Sequence, residues 1–521
     1  MRDASPRNFQ QNLLAMLGLC FVLIMVALDQ TVVGTALPTI VSELKGFEWY
    51  AWVGTAYLLT SVIVVPIFGK LGDERGRKPL VLLAIVVFTL GSACCGLAHS
   101  MLQLVLARAL QGIGGGMLMA TSFACIPDLF PDTRQRLRWQ VLFSTAFGLA
   151  NAFGPSLGGY LAEFWGWRWV FFVNLPVGIL CLGFVWGFLP DMRHPLLART
   201  RMDWLGAGLL ALALGSAQLF VEWLPQHAKS PALLGLAVMA VLSTAALIAW
   251  ERRCDNPVLP LAMFRHGILG PVFALSLTLG FCLFAIMYYA PLLFQGGFKL
   301  SPNQAGLLIT PLAVCITVGS IINGRIMSHL QSPRPVLWSG LGLFLLSDLA
   351  MTQFSAATAT WLVASGMACA GLGMGLLLPN LTLMAQASAA REQLGIATAV
   401  LQSTRMIGSM LGAAIVGALI THQYTAHIQQ MLQAAHASHL LGWLDNPQIL
   451  FSQTMVQQLT TQDAQFAAHA SRYLQGAEQA LVAAVHDSQW LIGLLVIAAC
   501  ALVYRMPSVN IHQQSTGTNA S

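Results

Sequence analysis

The stretch IFGKLGDERGRKPL, residues 67–80, joins two apolar runs, 50–69 and 79–98, each near the roughly 20 residues needed to cross a bilayer. Between them Lys70, Arg75, Arg77 and Lys78 concentrate positive charge in a few positions, interleaved with Gly69, Asp73 and Gly76. Two apolar runs around a short basic connection read as a pair of membrane helices turning on the inner side. The glycines permit a tight turn where two helices approach, Asp73 can accept hydrogen bonds from a helix N-terminus, and the arginines can pair across it. A plain basic loop accounts for the charge but not for the ordered spacing.

Working outward, further runs of that length lie near 13–38, 102–126, 139–162 and 169–189, which complete six spans with the first two. Two more follow at 204–224 and 231–250, then six at 268–294, 304–327, 335–354, 359–384, 393–420 and 489–505. The chain is therefore expected to be an all-α membrane protein with 14 transmembrane helices, two six-helix bundles and an inserted pair. Its segments are a tail at 1–12, bundles at 13–190 and 268–505, the pair at 204–250 and a tail at 506–521. Composition agrees, with 56% hydrophobic and 9% charged residues against about 25% charged in a soluble domain. With both termini inside, 19 of the 26 Lys and Arg fall on the inner side. Lys45, Arg168, Lys229, Lys299 and Arg472 fall outside, and Arg108 and Arg405 lie within spans. The net charge of +6 thus reflects loops facing anionic lipid and implies no nucleic acid.

Charged groups inside spans are the candidates for function. Asp29 stands about two thirds through the first span, in LDQTVVGTALP at 28–38, where burial makes its ionised form costly. It either senses which side is open by gaining and losing a proton, or is satisfied by neighbouring hydroxyls. Arg108 opens RALQGIG at 108–114, and either faces an acidic partner or snorkels to the interface. Gln111 lies three residues on, and the glycines after it allow close packing. Glu222 and Asp348 compete with Asp29 for a proton role, Glu222 being placed where water can wet it. Gln111, Gln218, one turn before Glu222, and Arg405 are candidates for substrate contact or charge pairing. The fifth span carries Gly148 and then Gly154, Pro155, Gly158 and Gly159, a kinked, thin helix surface suited to tight packing. Gly154-x-Ser156-x-Gly158 has the spacing of a hydrolase nucleophile elbow, but no strand precedes it and no His or Asp partner is evident.

Between the last two spans, residues 422–488 form a long outer loop with six histidines. His436 and His439, spaced as i and i+3, would share a helix face, yet no carboxylate or Cys joins them, so no metal is expected. The ten cysteines lie almost all within spans, and no structural disulfide is expected. The apolar run after Arg2 and Arg7 is too long for a cleaved leader and reads as an uncleaved span.

The 69–78 loop resembles the G-x-L-x-D-x-x-G-R-[RK] latch of the major facilitator superfamily, which breaks and re-forms as two halves rock. RALQGIG resembles that family's arginine motif, implicated in proton transfer, and the Gly154–Pro155 helix resembles its antiporter motif, associated with exporters. The first-span signature, with Gly34 where Asn is common, the segment WGWRWVFFVNLPVG at 165–178 and Asp203-Trp204 are similar to the fourteen-span EmrB/QacA-type drug:proton antiporters. The resemblance covers nearly the whole chain. It implies an inner-membrane exporter and no enzyme, exchanging amphiphilic small molecules for protons by alternating access, without a cofactor and with the inserted pair peripheral. It also suggests a periplasmic adaptor and outer-membrane channel docking through the outer loop. Export of an endogenous metabolite, siderophore or lipid-like amphiphile uses the same machinery, and a non-transporting receptor or scaffold leaves the latch and antiporter motifs purposeless.

Overall fold

The computed structural model describes residues 9–129, 133–190, 203–227, 230–254, 257–258, 261–264, 267–327, 329–330, 332–388 and 394–506. The apolar runs form helices because in hydrocarbon each backbone N–H and C=O must find its partner within its own segment. The first half comprises α1 (Phe9–Leu44), α2 (Tyr50–Arg75), α3 (Arg77–Gly96), α4 (Met101–Leu129), α5 (Thr133–Phe164) and the successive α6 (Arg168–Phe172) and α7 (Asn174–Phe188). The inserted pair is α8 (Trp204–His227) and α9 (Pro231–Glu251). After the short α10 (Leu261–Phe264), the second half has α11 (Leu269–Leu292), α12 (Pro302–Met327), α13 (Arg334–Met351), α14 (Thr360–Ser388) and α15 (Leu394–Ala434). Two small helices, α16 (Leu441–Leu444) and α17 (Gln453–Gln462), then precede α18 (Ala464–Arg505).

Among the described residues, 12 helical stretches are long and apolar enough to cross a membrane. Helices α5 and α13 fill the fifth and eleventh expected places without meeting that measure. Gly148, Asn151, Gly154, Pro155 and Ser156 dilute the apolar character of α5, and Arg334 and Asp348 that of α13.

The two halves repeat one packing scheme. Helix α1 packs on α5 as α11 does on α15, α2 on α4 as α12 on α14, and α3 on α7 as α13 on α18. Across the seam, α1 meets α11, α5 meets α12 and α2 meets α15. The inserted pair is not uniformly peripheral: α8 packs on both α2 and α15. Helix α9 lies outermost, with Leu234, Val238, Val241 and Leu242 exposed where lipid would cover them.

Helices α15 and α18 run on into the segment expected as an open outer loop. Helix α18 kinks at His469, and the part after the kink, residues 470–505, reaches about 54 Å, well beyond the roughly 30 Å of hydrocarbon. Only residues 435–463 connect the two, and this connection folds back on the protein. Tyr424 donates to the Leu444 carbonyl at 3.0 Å, and Gln448 is 2% exposed.

Candidate functional site

Asp29 and Arg108 meet at the centre of the first half. Arg108 Nη1 donates to Asp29 Oδ2 at 2.6 Å, and both side chains are 0% exposed. The other carboxylate oxygen accepts from Gln111 Nε2 at 2.7 Å and from Asn174 Nδ2 at 3.1 Å. Ser92 Oγ accepts from the same two amides at 3.1 and 3.0 Å, and itself donates to the Phe171 carbonyl at 2.9 Å. Arg108 also donates to Gln111 Oε1 at 2.7 Å and, through Nε, to the Val53 carbonyl at 3.1 Å. Its guanidinium lies over the Tyr57 ring, 4.4 Å from the centroid.

The four contributing helices place these groups by simple spacing. Arg108 and Gln111 are one turn apart on α4, so both point at α1, while Ser92 on α3 and Asn174 at the start of α7 close the other side. A buried carboxylate with a guanidinium and two amide donors has its charge compensated, which neighbouring hydroxyls alone would not achieve. Of the two readings open for Arg108, the acidic partner is the observed one. Tyr288, from α11 of the second half, lies within electrostatic range of both Arg108 and Asp29, so the network sits beside the seam.

The expected antiporter motif is the wall between this network and the second half. A Cβ at Gly154 would overlap Thr31, and one at Gly158 would overlap Thr35 and the Val32 carbonyl, so α5 lies directly on α1 two residues from Asp29. On the opposite face Gly159 abuts Pro302 and Asn303, Gly306 abuts the Pro155 carbonyl, and Gly148 abuts Thr317 of α12. Ser156 and Thr310 hydroxyls pair across the same contact at 2.5 Å. The glycines thus bring three backbones from both halves into contact.

Toward the end where α1 closes, expected to face outward, the halves are joined by hydrogen bonds. Gln295 donates to the Thr35 carbonyl at 2.8 Å and Tyr50 to the Tyr288 carbonyl at 2.9 Å. Asn303 N donates to Glu163 at 2.9 Å. Gln448, from the 435–463 connection, donates to the Val41 carbonyl and accepts from Gly46 N, both at 3.1 Å. The Lys45–Gly46 turn has φ of 59° and 95°, a left-handed bend that ends α1 and aims this N–H at Gln448.

The remaining expected residues lie elsewhere. Asp348 is 1% exposed on α13, where it faces α18, and does not join the Asp29 network. Gln218 is fully buried on α8 with both amide atoms lacking a partner among the described residues. Arg405 donates to Gln402 one turn away, and among the described residues no carboxylate pairs with it. The side chains of Gly69, Asp73, Arg75 and Glu222 lie outside the described residues. Gly76 separates α2 from α3 with φ 89°, and Lys78 donates to the Trp186 carbonyl at 2.7 Å. Phe281, Tyr288 and Tyr289 are at most 5% exposed, Phe281 lying against Gly412 of α15.

The proposed helical face of His436 and His439 does not form. His436 has φ 50°, and His439 pairs with Asp463 at 2.9 Å. Sequence reasoning assigned no role to Ser92, Asn174, Gln295 or Gln448. Asn174 stands within the 165–178 segment, and Ser92 has no local pattern around it.

The sequence profile of the Major Facilitator Superfamily matches residues 19–413. The multidrug transporter protein MdtP of Bacillus subtilis is 33% identical over 96% of this chain and 94% of its own. Multidrug resistance protein 3 of the same organism is 30% identical over 84% and 85% of the two chains. Among solved structures, a bacterial homologue of the human lysosomal transporter Spinster aligns with a TM-score of 0.67 at 14% identity, covering 96% of this chain and 99% of that one. A D-xylose-proton symporter aligns with a TM-score of 0.60 at 13% identity, over 96% and 98% of the chains.

Proposed function

The chain belongs to the Major Facilitator Superfamily, a family of transporters and not of enzymes, and from that premise we propose that it is a proton-coupled antiporter exporting amphiphilic compounds across the inner membrane, with both termini cytoplasmic. The single observation that carries the coupling is the fully buried Asp29–Arg108 pair beside the seam.

The outer end is held shut by Gln295, Tyr50 and Gln448, which is the state in which cargo exchanges with the inside. When the halves rock and the outer end opens, a proton reaching Asp29 Oδ2 neutralises the carboxylate. Arg108 then loses its counter-charge and turns toward the seam, where Tyr288 provides an acceptor. Return to the inward state and loss of the proton inside re-form the ion pair. Each elementary charge moving inward supplies about 2.3 kcal/mol per 100 mV. The Gly154–Gly159 surface lets α5 slide between α1 and α12 without side chains in the way. The relatives' names as multidrug transporters support an amphiphilic cargo, as does the apolar seam formed by Phe284, Met410 and Leu411 against the first half.

The outer extensions of α15 and α18 support a second partner, a periplasmic adaptor leading to an outer-membrane channel. Helix α17 offers it an exposed polar face of Thr454, Gln457, Gln458 and Thr461. Replacing 454–461 by a Gly/Ser linker of equal length abolishes adaptor co-purification on this reading and leaves membrane insertion intact.

The transport reading is tested in proteoliposomes loaded with a fluorescent lipophilic cation. An imposed pH gradient drives dye movement against its own gradient for the wild type and not for Asp29→Asn. Dye flux indifferent to the pH gradient contradicts it.

A further inference from the structure

The repeated packing scheme gives the Asp29 network a counterpart in the second half. Asp29, Ser92 and Asn174 lie on α1, α3 and α7, and the equivalent helices are α11, α13 and α18. At that place stands Asp348, on α13, 14 residues from its first residue Arg334; Ser92 is 15 residues from Arg77 at the start of α3. The two polar positions therefore lie at similar depth, about 21 Å from the inner helix ends.

The counterpart puts its acid on α13 and not on α11, and among the described residues no Lys or Arg pairs with it. Asp348 is 1% exposed, and its Oδ1 accepts no hydrogen bond among the described residues. It faces Gly493 of α18, whose lack of a side chain leaves room for the carboxyl group at a distance of 3.0 Å from a Cβ placed there. Four and seven residues toward the outer end of α18, on the same face, stand Gln489 and His486. Gln489 Oε1 and His486 Nε2 are likewise buried without partners among the described residues. The His486 ring lies against the Phe354 backbone, in the connection that follows α13 at the outer end, and the side chain as a whole is partly exposed. Asp487, its neighbour, is exposed and pairs with His427 at 3.5 Å. A buried acid, an amide and an imidazole thus descend from the outer surface over about 10 Å of one helix seam.

We propose that Asp348 is a second proton-binding site of this protein, loaded from the outer face along the α13–α18 seam through His486 and Gln489. The step is a proton transfer alone: His486 Nε2 binds a proton from outer water and gives it up into the seam, Gln489 Oε1 is a hydrogen-bond acceptor along the path, and Asp348 Oδ1 takes the proton and returns it by the same route. An unpaired carboxylate this deep is costly when ionised, so the proton it carries offsets the burial. Cys282 on α11 lies within electrostatic range of Asp348, His486 stands seven residues before Gly493 on α18, and α14 carries no acidic, basic or His residue from Thr360 to Ser388. A structural packing role alone gives no reason for three side chains in line with the outer surface each to keep one buried polar atom without a partner among the described residues. The site stands apart from the Asp29 proposal, because proton occupancy is read without any transport.

The test uses the full-length protein in lipid nanodiscs. Infrared difference spectra between acid and alkaline pH show protonated-carboxyl C=O absorption, expected to lose one component in Asp348→Asn and to keep that component in Asp29→Asn. In the wild type, a hydrophobic carbodiimide, which reacts with protonated carboxyls in lipid, labels Asp348, with yield falling about tenfold per pH unit above the site's midpoint. His486→Phe slows that labelling's response to a jump in external pH. A band unaffected by Asp348→Asn, or no carbodiimide adduct on Asp348 at any pH in the folded wild type, overturns the proposal.

Discussion

Arg108 reaches Asp29 at 2.6 Å with neither side chain touching solvent, so each charge is the other's reason for being there. Removing one partner leaves the other buried and unpaired, at a cost of about 3–5 kcal/mol. We expect Arg108→Gln to lower thermal stability in detergent more than Arg108→Gln combined with Asp29→Asn. A scanning-fluorimetry series on the four proteins checks this, and additive losses would show that the two side chains do not act as a pair.

Gln448 reaches across 407 and 402 residues of sequence to bind Val41 and Gly46, and in doing so clips the second half's outer connection over the end of α1. Two hydrogen bonds at about 1 kcal/mol each hold the outer end shut by roughly 2 kcal/mol, near a thirtyfold bias. Gln448→Leu should raise the outward-open population by up to that factor. Paired spin labels on the outer ends of α1 and α12 report it as a growth of the longer distance. An unchanged distance distribution means the clip does not bias the equilibrium.

At Gly158, a side chain has nowhere to go but into Thr35 and the Val32 carbonyl. Gly158→Val should therefore cost about 1–3 kcal/mol and abolish dye efflux, while Gly183→Val on α7, whose Cβ meets nothing within 4 Å, leaves both near wild type. Efflux assays on cells matched for expression make the comparison, and efflux retained by Gly158→Val would remove the sliding surface from the account.

Asp463 caps the outer start of α18, accepting from Phe466 N at 2.7 Å and pairing with His439. The Phe466 amide, with His439 beside it, holds its carboxyl below the ordinary value of 3.8. A folded pKa below the unfolded one means the cap is complete above about 3.8 and weakens as pH falls through the lower, folded value. Hydrogen exchange over 464–470 should accelerate in that acid window for the wild type. It should be fast at all pH in Asp463→Ala.

The sequence made the helices and their order legible because apolar runs of bilayer length have few other fates, and the Lys and Arg distribution gave an expected orientation. It pointed to Asp29, Arg108 and Gln111 because charge within apolar runs is rare and Arg108 and Gln111 share a helix face. It could not pair them, since the distance from 29 to 108 is closed only by the bundle. Ser92 looked like any small residue in a glycine-rich helix, and Gln448 like any polar loop residue, because their partners are backbone atoms and amides remote in sequence. The peripheral placement of the inserted pair failed for α8, whose small and apolar residues pack equally well on protein or lipid. The i, i+3 reading of His436 and His439 failed because the chain turns through a left-handed His436 instead of continuing α15.

The central claim is that Asp29 trades a proton for the arrangement that binds cargo, and it is tested most directly by proton release from the purified protein. In weakly buffered detergent solution at mildly acidic pH, adding a lipophilic cation should release protons to an indicator dye from the wild type. The Asp29→Asn protein should bind the same cation and lose the release assigned to this site. Equal proton release from both proteins would contradict the account.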